Sequence, residues 1–270
     1  MLIKRKSIEK EESSRPASTP APAARRKIKY APVTLSEQDG VRYLHFGTEW
    51  VQGAMRIRKP NWPELEYAQQ MMAWMLWLEQ PRRIAQLGLG TAALTKFCYT
   101  TFPEAQVAAI ELNPSVIAIC ESMFKLPPND ARLHVQEMDA LDFVNDKANL
   151  GTLDALQVDL YDATARGPVL DTPEFYQSCN ACLNDDGVMT VNLFGDHPSY
   201  ARNLKAIKFA FAQVICLPQV HDGNVVAIAF KRQRDIDPAA LAARAAQIVA
   251  DTKLPAKSWV TGIKAGITAK

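Results

Sequence analysis

The chain has 270 residues, 48% hydrophobic and 22% charged, enough for one large domain with a sizeable core. It contains no long apolar run, so no membrane-spanning helix is expected, and its first thirty residues lack the apolar core of a signal peptide. The formal net charge of +2 hides a division: residues 1–29 carry nine Lys or Arg against three Glu, while the other 22 basic and 26 acidic side chains leave the body at −4. An acidic body argues against nucleic acid as the main partner and suits a cationic substrate.

Residues 1–29, rich in Ser, Pro, Ala and charge, cannot bury enough surface to offset ordering entropy, and a disordered basic tail is expected there. Residues 30–60 read as an N-terminal β-hairpin unit. Val33–Leu35 and Val41–Phe46 flank Asp39-Gly40, a hairpin turn signal, and a third strand is expected near Trp50–Gln52. Such a unit is too small for a core of its own and must lean on the larger domain C-terminal to it.

Residues 61–235 read as a Rossmann-like domain, opening with a helix from Pro63 to about Leu78. Strands are expected at Ile84–Leu87, Gln106–Ile110, Leu133–Gln136, Ala155–Val158 and Val188–Leu193, with helices at Leu94–Thr101 and Pro114–Met123. This alternation calls for an α/β fold, a parallel sheet with helices on both faces. Val214–Leu217 and Val225–Phe230, separated by Pro218 and the Asp222-Gly223 turn, form a closing antiparallel pair. Residues 236–270 are expected to hold a helix at Ala239–Ala250 and a tail.

Five cysteines, an odd number scattered through apolar segments, speak against a disulfide framework and for a reducing, cytoplasmic setting. The Cys179/Cys182 pair has no second pair beside it, and His45, His134, His197 and His221 lie on different elements. No metal site is expected, and the two cysteines read as buried small apolar residues.

Four features fall at the carboxyl ends of successive strands, where open α/β sheets bind ligands. Gly88-Leu89-Gly90 lets backbone approach a ligand and opens a helix whose first amides face it. Glu111, about twenty residues on, is placed to accept ribose hydroxyls. Asp139, followed by Ala140, is suited to an adenine amino group. Asp159 and Asp162 form a carboxylate pair able to hold a cationic amine, or to take a proton from it. Taken singly, each acid could be a helix N-cap or a solvated turn residue, and the glycines only a tight turn. Ala93 stands where a full dinucleotide fingerprint has its last glycine, and no second mononucleotide half follows. One adenosine-bearing ligand is expected.

At these residues the chain resembles the spermidine synthase (polyamine aminopropyltransferase) family, from about Val33 to Phe230. The resemblance rests on Gly40–Leu44, Val51–Met55, Glu66-Tyr67, Glu111, Asp139-Ala140, Asp159, and Gly167-Pro168 followed by Thr172–Tyr176. It implies transfer of the aminopropyl group of decarboxylated S-adenosylmethionine to a polyamine such as putrescine, with no permanently bound cofactor. It further implies Glu111 on the ribose, Asp139 and Ala140 on the adenine, and Gly88 and Gly90 lining the nucleoside. Asp159 would be the catalytic acid, Gln52, Tyr67 and Asp162 would line the amine path, and a homodimer or larger homo-oligomer is expected. The chain departs from the family where Thr91 replaces an Asp in the glycine loop and Ala92-Ala93 replace its second glycine pair. It departs again where Ala68-Gln69 follow Tyr67 and where the catalytic loop reads Asp159-Leu160-Tyr161-Asp162-Ala163. Two other readings stay open: a methyltransferase using intact S-adenosylmethionine, and a nucleoside-binding protein without turnover.

Overall fold

Asp39 and Gly40 both adopt left-handed backbone angles, φ 52° and 76°, as a tight hairpin turn requires. They join β1 (Thr34–Gln38) to β2 (Val41–His45), and β3 (Val51–Arg56) completes a small antiparallel sheet on the other side of β2. Leu44 and Met55 of this sheet are buried in the same apolar cluster as the first helices of the larger domain. The structure is a computed structural model that describes residues 30–162, 167–220 and 223–268. The expected tail at 1–29, together with Ala163, His221 and Asp222, lies outside the described residues. Residues from Ala31 onward belong to one compact unit.

The first helix differs from expectation. α1 (Glu66–Met71) starts three residues after Pro63 and gives way to a 3-10 turn at Met72–Leu76. Pro63 is instead tied down by the Gln69 side chain, whose Nε2 donates to its carbonyl at 3.0 Å. All five residues of the 3-10 turn are buried. A run without a polar face is held by packing on every side rather than by helical periodicity.

The larger sheet contains β4 (Arg83–Leu87), β5 (Gln106–Glu111), β6 (Leu133–Glu137), β7 (Leu153–Val158), β8 (Leu183–Phe194), β9 (Gln213–Cys216) and β10 (Asn224–Phe230). Their order is β6-β5-β4-β7-β8-β10-β9, parallel through β8 and antiparallel thereafter. The expected closing pair is therefore present, with β10 inserted between β8 and β9. Between the strands run α2 (Ala93–Thr101), α3 (Pro114–Met123), α4 (Ala140–Asn145), α5 (Pro173–Cys182) and α6 (Tyr200–Ala210). Asn113, Thr172 and the Asp237 that precedes α7 (Pro238–Thr252) each cap a helix that begins with proline. The side chain satisfies an orphan amide and the ring presets φ. Cys179 and Cys182 are both buried on α5.

The sheet separates two apolar clusters. α1 to α3 and α7 share one with the small sheet, and α4 to α6 form the other. The expected C-terminal tail is corrected: residues 256–268 are a helix, α8 (Ala256–Thr268), whose Trp259, Val260 and Ile263 are buried in the first cluster. Among the described residues, no helix is long and apolar enough to cross a membrane.

Candidate active site

The strand order places the predicted residues in a row along one edge of the sheet. Asp139 follows β6, Glu111 ends β5, the glycine turn follows β4, and Asp159 follows β7. Neighbouring strands lie about 4.8 Å apart, so the row from Asp139 to Asp159 spans three steps, about 14 Å. That suits an extended ligand lying across the strand ends.

The glycine turn is held from inside. The buried Gln86 donates Nε2 to the Gly88 carbonyl at 2.6 Å and accepts from the Thr95 hydroxyl. Gly88 has φ +87°, and a Cβ there would lie 2.1 Å from the Asp159 carbonyl oxygen. Its missing side chain thus lets the Asp159 backbone cross the turn, which a nucleoside contact alone would not require. Gly90, at φ +54°, and the left-handed Ala92 lead into α2, which has no side-chain cap. Thr91 packs against Gly53 and lies 3.3 Å, in donor geometry, from the Ala54 carbonyl, so its hydroxyl ties the turn to β3.

Glu111 accepts from the Leu89 amide at 3.0 Å and the Asn113 amide at 2.8 Å. Burial raises its pKa, and the amide bonds oppose that rise. Asp139 caps α4 through Oδ1, which accepts from the Leu141 amide at 2.8 Å, and Ala140 is buried behind it. Leu112 and Leu141 stand beside the two acids, 42% and 38% exposed. Sequence reasoning passes over these leucines, although a large apolar residue directly after a strand-end acid or its cap is a signal for a wall against a flat base.

Asp159 sits deeper. Oδ1 accepts from Asn192 Nδ2 at 2.9 Å and Oδ2 from the Tyr67 hydroxyl at 3.4 Å. The residue keeps an edge toward solvent, but its carboxyl is surrounded by protein, and burial pushes it up to about 6 against those hydrogen bonds. Gln52, Tyr67, Ala68, Gly90, Thr91 and Asp159 line one narrow cleft. Asp162 joins through its backbone, its carbonyl accepting from Gln52 Nε2 at 3.3 Å. Asp162, Glu111 and Asp139 are not among the cleft's lining residues, so the structure brings Gln52, Tyr67 and Asp159 together, holds Asp162 to them through its backbone, and leaves Glu111 and Asp139 along the open row.

Sequence reasoning missed Gln86, Asn192 and Asn224, three buried amides at the centre of this arrangement. The signal was a lone amide within an apolar strand, as in Ile84-Ala85-Gln86-Leu87 and Val191-Asn192-Leu193. Such a residue must find a hydrogen-bond partner inside the protein.

A seven-stranded sheet of this order, with a glycine turn at its centre and acids at the adjoining strand ends, is the architecture of Rossmann-like S-adenosylmethionine-dependent transferases. A solved spermidine synthase in complex with the transition-state analogue AdoDATO matches it with a TM-score of 0.63 at 19% identity, over 87% of this chain and 86% of that one. The sequence pattern of the spermine/spermidine synthase domain matches residues 88–226. The polyamine aminopropyltransferase of Chromobacterium violaceum is 32% identical over 201 residues, 74% of this chain and 76% of that one. The chain belongs to the spermine/spermidine synthase family. A bovine eEF1A lysine and N-terminal methyltransferase is also similar, 28% identical over 145 residues that make up 49% of this chain and 21% of its own.

Proposed function

We propose that the protein transfers the aminopropyl group of decarboxylated S-adenosylmethionine to an amine acceptor such as putrescine, releasing methylthioadenosine. The observation that carries this reading is Asp159, a carboxylate at the β7 end of the row, enclosed, hydrogen-bonded on both oxygens and raised to about 6. Such a group is ionised at neutral pH and close enough to it to take a proton. The adenine would lie by Asp139 and Ala140 between Leu112 and Leu141, and the ribose hydroxyls would use lone pairs of Glu111 beyond its amide bonds. Gly88 and Gly90 would give the nucleoside its backbone wall. Gln52, Tyr67 and Asp162 would line the amine path, the Tyr67 ring also facing an ammonium.

In the reaction, the amine nitrogen forms a bond to the propyl carbon attached to sulfur as that carbon–sulfur bond breaks. The bonding pair returns to sulfur and converts the sulfonium into the thioether of methylthioadenosine. The proton displaced from nitrogen passes to Asp159 and then to solvent. Because the sulfonium is already activated, the protein's main contributions are in-line placement and proton removal.

A second reading, methyl transfer from intact S-adenosylmethionine, is favoured by one observation. Thr91, tied to the Ala54 carbonyl, stands where the family's loop carries an acid, so no charge there opposes a donor carboxylate. Thermal shift with decarboxylated S-adenosylmethionine, methylthioadenosine, S-adenosylmethionine and S-adenosylhomocysteine separates the two. A ligand at about 100 times its dissociation constant adds about 2.7 kcal/mol. Stabilisation by the first pair alone, with turnover lost in Asp159→Asn but methylthioadenosine binding kept, is the expected result. Preference for the second pair would move the assignment to methyl transfer, and no shift with any ligand would remove both.

A further inference from the structure

Asn192 and Asn224 are 1% and 9% exposed and lie on the antiparallel pair β8 and β10, with Asn192 opposite Val226 and Asn224 opposite Phe194. This diagonal places both amides on one face of the sheet. Their hydrogen bonds have a determined direction. An ionised carboxylate only accepts, so Asn192 must present Nδ2 to Asp159, which it does at 2.9 Å. Its Oδ1 is then left to accept, and does so from Asn224 Nδ2 at 2.9 Å. The same Nδ2 donates its other hydrogen to the Tyr161 hydroxyl oxygen at 3.3 Å. With Nδ2 turned toward it, Asp159 Oδ1 meets a donor, which favours the ionised carboxylate over a proton on that oxygen. Neither asparagine lines the cleft.

We infer that Asn192, locked in orientation by Asn224 and through it by Tyr161, is the positioning residue that aims the Asp159 carboxylate and keeps its inner oxygen unprotonated. The inference rests on the reading of Asp159 as the group that receives the amine proton. Among the described residues, the titratable groups facing Asp159 are Tyr67 from α1 and Tyr161 from its own loop. β3 presents Gln52, β4 the glycine turn, and β8 and β10 the two asparagines, none of which titrates. Removing the Asn192 bond therefore shifts the proton affinity of Asp159 without removing a charge and, unlike removal of the Tyr67 bond, without changing a residue that lines the cleft.

The test uses the full chain with Asn192→Leu and Asn224→Ala. Aminopropyl transfer is followed against pH with decarboxylated S-adenosylmethionine and putrescine. The Asp159 carboxyl is titrated separately by ¹³C NMR in the free protein, with Asp159→Asn identifying its signal. In Asn192→Leu, kcat is expected to fall about tenfold with the donor KM unchanged. The acidic limb and the carboxyl midpoint should both move up by about one unit. Asn224→Ala should move them the same way by less, and decides the question if Asn192→Leu does not fold. An unmoved midpoint in the folded variants would overturn the inference, whatever the loss of rate. Wild-type protein that transfers no aminopropyl group would defeat the proposed function instead, while the NMR titration would still decide the role of Asn192.

Discussion

The proton affinity of Asp159 has a consequence for stability as well as for chemistry. Its native pKa, pushed up by burial to about 6, lies above the ordinary carboxylate value, so the folded protein holds this proton more tightly than the unfolded chain does. Stability is therefore lost as pH rises from about 4 through about 6, and the whole cost is present above that window. Asp159→Asn removes the charge, and at pH 7.5 the variant should be more stable by on the order of 2 kcal/mol, a figure below the full shift because the residue keeps some solvent contact. The gain should vanish near pH 4 in urea unfolding; an equal gain at both pH values would show that burial of the charge is not its source. At this scale the strand-end acids were legible because Asp is frequent neither inside strands nor beside them without a cap or a ligand to satisfy. Asn192 was not legible in its role, since an amide in an apolar strand reveals that it needs a partner but not that the partner is Asp159.

Among the elements, the β4–α2 turn shows how one backbone position serves two purposes. In the sequence Gly88 reads as an approach surface for a ligand, and its positive φ fits that reading, yet the closest neighbour to its absent Cβ is the Asp159 backbone at 2.1 Å. Gly88→Ala should cost about 3 kcal/mol or more in urea unfolding, because strain and overlap act together on two strand ends. It should also abolish the thermal shift with methylthioadenosine, by moving Leu89 away from Glu111. Near-normal stability would mean that the β7 end yields easily and does not brace the turn. Helix starts were partly legible: Asn113-Pro114 opens α3 as expected, while the same signal at Asp237-Pro238 begins α7 one residue before the predicted start. The helix expected from Pro63 is cut short because Met72–Leu76 presents no polar face, so its winding is left to the surrounding packing.

At the scale of the whole molecule, the C-terminal pair α7 and α8 completes the core on one face of the sheet. Leu254, Trp259, Val260 and Ile263 are all buried against the same cluster as α1 and α2. At about 1.5–3 kcal/mol per large buried side chain, their removal costs roughly 6 kcal/mol or more, which rivals the total stability of an ordinary domain. A chain ending at residue 252 should therefore lose cooperative urea unfolding and expose apolar surface. An unchanged unfolding midpoint would show that the helix is peripheral to the core. The segment reads as a tail because its apolar residues are interleaved with Lys, Gly and Thr, a pattern whose meaning depends on finding a face to cover.

The sequence by itself determined the strand–helix alternation, the parallel sheet with its closing antiparallel pair, and the placing of Gly88, Glu111, Asp139 and Asp159 at strand ends. These features come from apolar periodicity and from turn and cap chemistry, which act over a few neighbouring residues. Only the tertiary structure decided that Gly88 yields to the Asp159 backbone, that Thr91 turns to β3, and that Asn224, Asn192 and Asp159 form one directed chain. Those contacts join residues from 32 to 71 positions apart by way of strand order and register, and no local pattern along the chain encodes which edges will meet.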